Sequence, residues 1–127
     1  MNLAALLLVY GVATLVHFIH NAEFLGDYPN MPATWTRAGV YFAWLGMTLV
    51  GVAGWLLLRR GFRLAGLALL AAYAACGLDS LGHYVLAPVS AHTLAMNATI
   101  LLEVTAAAAL LLEVARQFAQ RVLRGNP

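Results

Sequence analysis

The sequence predicts an all-α protein: a four-helix transmembrane bundle that runs up-down-up-down with both termini on the cytoplasmic side. Three observations carry this reading. Apolar residues make up 63% of the 127 and charged residues only 9%, and mean hydropathy is +0.82; a small soluble domain cannot hide that much apolar surface. Four stretches, residues 3–25, 37–58, 64–86 and 91–112, approach the ~20 residues that cross roughly 30 Å of hydrocarbon. Arg59, Arg60 and Arg63 follow the second stretch and Arg116, Arg121 and Arg124 the fourth, against Arg37 alone in the first loop. That asymmetry places the second loop and the tail on the cytoplasmic side.

The first span begins directly after Met1-Asn2, without a basic leader and without an A-x-A-like cleavage site, so it is expected to stay in the protein. Pro29 and Pro32 mark residues 26–36 as an ordered loop. In the second span Gly39, Ala43, Gly46, Ala53 and Gly54 form a small-residue stripe suited to close helix contact, with Trp35 and Trp55 as interface anchors at its two ends. Gly61 breaks the second connection, and Pro88 with Ser90 breaks the third. Such short connections make consecutive helices antiparallel neighbours. The fourth helix overruns the membrane, because Glu113, Arg116, Gln117, Gln120, Arg121 and Arg124 alternate with Val114, Phe118 and Val122. Residues 113–124 therefore read as an amphipathic cytoplasmic extension. Residues 1–127 form a single integral membrane domain, and a bacterial inner (plasma) membrane is the expected location.

Composition also excludes. Cys76 is the single cysteine, so neither an internal disulfide nor a zinc-cysteine site can form. There is no Lys, and a net charge of +2 supplies no basic patch for nucleic acid.

Ionisable groups inside a bilayer cost about 2.5–3.5 kcal/mol each on insertion scales, so they persist where they are paired, hydrated or functional. Here they crowd toward the outer ends of the helices: His17, His20 and Glu23 on the first, Asp79 and His83 on the third, His92 at the start of the fourth, and Glu103 near mid-membrane. Helical spacing puts His17, His20, Glu23 and Asp27 on one arc, Asp79 with His83 on one face, and His92, Met96, Thr99 and Glu103 in one stripe. Bundles build metal and cofactor sites in such places, and imidazole with carboxylate suits zinc, iron or copper. His20-x-x-Glu23 and Asp79-x-x-x-His83 resemble the ligand pairs of helical carboxylate sites, although the soluble di-iron signature, Glu-x-x-His on two helices, is absent. The competing structural reading is a hydrogen-bonded network that fixes the bundle, with Arg37 neutralising Asp27 or Glu23 at the surface. Met96 is expected to pack, and Tyr73, Tyr84 and Trp44 to form walls.

His20-Asn21-Ala22-Glu23 resembles the H-x-x-E core of the small HXXEE-type membrane proteins, with Phe24 where that family has a second Glu. The resemblance covers one helix and implies that His20 and Glu23 act together. The emopamil-binding isomerases are similar in four-helix architecture, without a shared motif.

Three functions fit these residues. The first is a zinc, iron or copper site ligated from His17, His20, His83, His92, Glu23 and Asp79 that binds or acts on a lipid-soluble substrate. The second is metal-free acid–base isomerisation or cyclisation of an isoprenoid or sterol-like lipid, with Glu103, Glu23 and Asp79 as catalytic groups. The third is a non-catalytic accessory subunit of a larger membrane complex. Haem held axially by His20 and His83 is a further variant. The expected partners are membrane lipids, a lipid-soluble small molecule and a homo-oligomer or larger membrane complex, with no nucleic acid. Orientation is directly testable: a reporter fused at Gly61 should read cytoplasmic and one fused within residues 26–36 external, and an external reading at Gly61 overturns the topology.

Overall fold

The computed structural model describes residues 1–123 and Gly125. Arg124, counted above with the cytoplasmic tail, lies outside the described residues. The fold class is the expected one: all-helical, with no strand among the described residues. The helices are α1 (Leu3–Glu23), α2 (Arg37–Arg59), α3 (Arg63–Leu78), the short α4 (Gly82–Leu86) and α5 (Leu94–Leu123). Four segments, Leu3–Glu23, Arg37–Arg59, Arg63–Leu86 and Leu94–Leu123, are long and apolar enough to cross a membrane.

Local chemistry sets the helix ends. The Asn2 side chain accepts from Ala5 N–H at 2.8 Å, Thr36 from Gly39 N–H at 3.0 Å, and Thr93 from Met96 N–H at 3.2 Å, each satisfying an amide that the first turn leaves without a helical partner. Gly61, at φ +91°, turns the chain between α2 and α3 in a conformation that glycine adopts without a Cβ penalty. Two boundaries differ from the expectation. The third span is not one continuous helix: a single 3₁₀ turn at Asp79–Leu81 separates α3 from α4. The fourth begins at Leu94, so His92 sits in the preceding connection, after another 3₁₀ turn at Val89–Ala91. Thr93 caps the helix and thereby leaves His92 outside it.

Each of α1 and α3 packs on both α2 and α5. Thr14 meets Met47 while Glu23 meets Tyr41, and Gly51 faces Tyr73 while Gly66 meets Gly54 and Leu58. In both pairs the contacts step in opposite senses along the two helices. The main apolar core, built on Leu6, Tyr10, Leu67, Leu70, Ala107 and Leu110, fills the half of the bundle nearer the Gly61 turn.

Two tyrosines lock this core into spaces left by glycine. Tyr10 is fully buried, its hydroxyl donates to the Tyr73 carbonyl at 3.0 Å, and the two rings lie 4.6 Å apart. A Cβ at Gly77 would meet the Tyr10 ring and hydroxyl, and one at Gly51 the Tyr73 ring. The expected small-residue stripe is thus only partly used. Gly54 faces α3, but Ala43 and Gly46 are exposed and nothing lies within 4 Å of a Cβ at Gly46. The closest approach is completed from the other helix: a Cβ at Gly66 would stand 2.7 Å from Leu58 N and 2.8 Å from Gly54 O. Backbone cannot yield as a flexible side chain can, so Gly66→Ala should cost about 1–3 kcal/mol through overpacking, whereas Gly46→Ala should be neutral. Thermal unfolding in detergent checks the pair, and equal stabilities would contradict the α2–α3 contact.

Candidate functional site: a buried histidine cluster beside a cavity

The end of the bundle that carries the 24–36 loop and the 87–93 connection is polar inside. His17, Asn21, Ser80, His83, His92 and Glu103 are all buried, Glu103 completely. In a hydrocarbon surround each must find its partner within the protein.

His17 is held from two sides. Its Nδ1 lies 3.3 Å from Thr99 Oγ1, whose own proton goes to the Met96 carbonyl at 3.1 Å. The imidazole is therefore the donor at Nδ1. Its Nε2 stands 3.7 Å from Glu103 Oε2, and Ser80 donates to that same oxygen at 2.5 Å. At that separation no hydrogen bond joins the two atoms; the imidazole and the carboxyl face each other as a buried acid–base pair. Ser80 follows Gly77 by one turn on the face that meets α5, as Glu103 precedes Ala107 by one turn, so the two side chains meet.

His83 and His92 carry complementary tautomers. Asn21 Nδ2 donates to His83 Nε2 at 3.2 Å, which leaves the ring proton of neutral His83 on Nδ1. His92 Nδ1 donates to the Pro88 carbonyl at 3.0 Å, so its bare nitrogen is Nε2, buried and without a hydrogen-bond partner among the described residues. Glu103 Oε1 and Asn21 Oδ1 are likewise unpartnered there. The ring centroids of His17 and His83 are 5.5 Å apart, and those of His83 and His92 6.2 Å.

Tyr28 joins these groups, and sequence reasoning missed it. It belongs to the 24–36 loop yet is 3% exposed, packs with Met96 and Ile100, and lies against His20, His83 and His92 at centroid distances of 5.8, 4.8 and 6.4 Å. Its hydroxyl is 2.9 Å from His20 Nδ1. Burial pushes the phenol up to about 12, so it keeps its proton at neutral pH and can donate to that nitrogen. Asn30, two residues on, donates to the Leu86 carbonyl at 2.8 Å and fastens the loop to α4. Asn97, on α5, accepts from the Tyr84 hydroxyl on α4 and so joins the two helices; it also donates to the Val89 and His92 carbonyls, which fixes the 87–93 connection.

Of the residues singled out from sequence, His17, His83, His92 and Glu103 come together. His20 is half-buried at the edge, its ring against Phe24 and Tyr28. Glu23 turns away to the surface, where Arg37 and the Tyr41 hydroxyl each approach Oε1 to 2.7 Å; the Arg37 ion pair weighed above is formed there. His20 and Glu23 thus take separate partners. Asp27 and Asp79 are exposed, and Met96 packs, as expected. With both carboxylates turned outward and Tyr28 and Asn21 inserted among the rings, no three His, Cys, Asp or Glu side chains converge closely enough to hold a metal ion among the described residues. His20 and His83 each lie against the Tyr28 ring.

A cavity of about 400 Å³ adjoins the cluster, within the size range of small-molecule sites. Its polar wall is His17, Asn21, Asp79, Ser80 and His83; Phe18, Met31, Val40 and Leu86 supply apolar walls, and exposed Trp35 and Val85 its rim. Cys76 also lines it. No family model, no curated protein and no solved structure matches this chain.

Tyr28 offers a pH test. Its folded pKa lies above the ordinary value of 10.0, so an unfolded chain loses this proton first as pH rises. The buried phenol's contribution is complete below pH 10 and is lost between there and about 12. Tyr28→Phe keeps the ring and removes the proton and the His20 contact; it should cost about 1 kcal/mol at neutral pH and flatten that alkaline decline. Unfolding midpoints measured against pH check both, and an unchanged alkaline slope would contradict the burial of the hydroxyl.

Proposed function

We propose that this protein is an integral membrane protein that receives a lipid-soluble molecule in the cavity beside α1 and exchanges a proton with it through the His17–Glu103–Ser80–His83 network. The observation that carries the proposal is the cavity's shape and chemistry. Four of the buried polar groups, His17, Asn21, Ser80 and His83, stand in its wall, with Glu103 directly behind Ser80 and His17. A substrate already dissolved in the bilayer would enter past Trp35 and Val85 without crossing water. His83 would meet it first. The Glu103–His17 pair would act as a proton store sealed from solvent, able to supply or accept the proton that a double-bond shift or a cyclisation requires. The Arg asymmetry of the sequence supports an orientation with the cluster toward the outer side and both termini cytoplasmic, in a bacterial inner membrane.

A second reading has one specific observation in its favour. Donation from His92 Nδ1 to the Pro88 carbonyl leaves Nε2 bare and buried, as in imidazoles held by a backbone carbonyl for ligation. A zinc, iron or copper ion recruited there would need His83 and His17 to reorient, giving up Asn21 and Thr99.

Glu103→Gln separates these readings. The amide keeps the shape of the side chain and an acceptor for Ser80 while removing the exchangeable proton and the charge, so the fold should survive with a stability change within about 1 kcal/mol. Cells lacking the gene should show an altered lipid profile that the wild type restores and Glu103→Gln does not. Full restoration by Glu103→Gln would overturn the acid–base reading. Near-stoichiometric metal in chelator-free wild type, stripped by His92→Ala, would establish the second reading in its place.

A further inference from the structure

The cavity wall is more selective than its apolar character suggests. It contains one charged side chain, Asp79, and no cation. Arg37, the nearest basic residue in sequence, is engaged by Glu23 at 2.7 Å. A carboxylate or phosphate seated here would lose its hydration with no counter-charge and would face a like charge at the rim.

The neutral polar groups specify the alternative. Because Asn21 Nδ2 is spent on His83 Nε2, the proton of neutral His83 sits on Nδ1, on the far side of the ring, available as a donor. Asn21 Oδ1 is unpartnered but buried, so it is closed to the cavity. Ser80 has committed its proton to Glu103 and retains oxygen lone pairs. Beside His83 the wall thus sets a donor next to the Ser80 acceptor, with the Asp79 carboxylate further along it. A carbonyl compound accepts only, and would leave Ser80 Oγ without a proton. A hydroxyl gives one proton and accepts another. It is the smallest uncharged group that answers both demands.

Resting on the reading of the cavity as a site for a lipid-soluble molecule, we infer that the ligand is a neutral long-chain or isoprenoid alcohol, its hydroxyl between His83 and Ser80, with Asn21 holding the His83 ring in the donating tautomer, and its chain leaving along Phe18, Met31 and Leu86. Fatty acids and phospholipid headgroups are rejected by the missing cation and by Asp79. Sites built to hydrogen-bond a hydroxyl discriminate strongly against analogues that lack it, because their own buried groups are then left unpaired.

Trp35 at the cavity rim provides the readout. The full chain in detergent, with Trp44 and Trp55 replaced by Phe, is titrated with a long-chain alcohol brominated at its tail, the matching carboxylic acid at a pH where it is ionised, and the matching bromoalkane. The alcohol should quench Trp35 saturably and bind about tenfold or more tightly than either analogue. Asn21→Leu should abolish that preference while leaving the weak bromoalkane quenching unchanged. Asp79→Asn, at an exposed position that leaves the fold intact, should raise the acid's affinity without moving the alcohol's. Equal or tighter binding of the acid, or an alcohol preference that survives Asn21→Leu, would overturn the inference; if Asn21→Leu does not fold, an acid affinity unmoved by Asp79→Asn does so instead. These outcomes are independent of turnover. Alcohol binding in a protein whose loss changes no lipid would keep this inference and remove proton exchange, whereas a lipid change that depends on Glu103, with the acid preferred, would do the reverse.

Discussion

A polar group surrounded by hydrocarbon bears its full desolvation cost unless the protein itself supplies the partner, and the organisation of one end of this bundle follows from that demand. The contacts Ser80–Glu103–His17–Thr99 join the α3–α4 junction, α5 and α1 in one line. No two of those elements can shift along each other without leaving a carboxylate or an imidazole alone. Ser80 stands one turn beyond Gly77 on the face of the third span that meets α5, level with Glu103, one turn before Ala107.

The opposite half is organised by shape. There, Tyr10 and Tyr73 occupy the spaces over Gly77 and Gly51, and α2 and α3 touch backbone to backbone at Gly54 and Gly66. Dispersion and close approach do the work that water exclusion cannot do in lipid. The two halves meet along α1. It carries Tyr10 into the apolar core and His17 into the polar cluster seven residues later, two turns on along nearly the same face.

The four spans were legible because length and hydropathy report directly on the solvent a helix must sit in. Glu103 and His17 were legible too, since an ionisable residue in an apolar run needs a reason. What sequence could not supply is the direction a side chain takes once a helix ends. Glu23 and Asp79 share helical faces with histidines on paper, yet Glu23 finds Arg37 at the surface and Asp79 remains exposed. Tyr28 was hidden for a related reason. Periodicity identifies buried positions within a helix or strand, and a loop has no period; only the flanking Pro29 and Asn30, which stiffen and fasten the segment, hinted that it is placed. The small-residue stripe misled in the same manner, because the partner surface that makes a glycine useful lies on a different helix.

The unequal distribution of close contacts also bears on how the chain is made. The α2–α3 hairpin brings together residues close in sequence, Gly54 with Gly66 and Gly51 with Tyr73, so it can zip as soon as both helices have left the ribosome. The histidine cluster needs Thr99 and Glu103 from α5, the last helix synthesised. Until α5 arrives, His17 and Ser80 stand in a nascent three-helix intermediate without the Thr99 and Glu103 partners they meet in the finished fold. Such a half-built polar surface within the bilayer is the kind of feature that membrane quality control can recognise. The polar end of the bundle is therefore the last part of the fold to be completed, when α5 packs against α1 and α3.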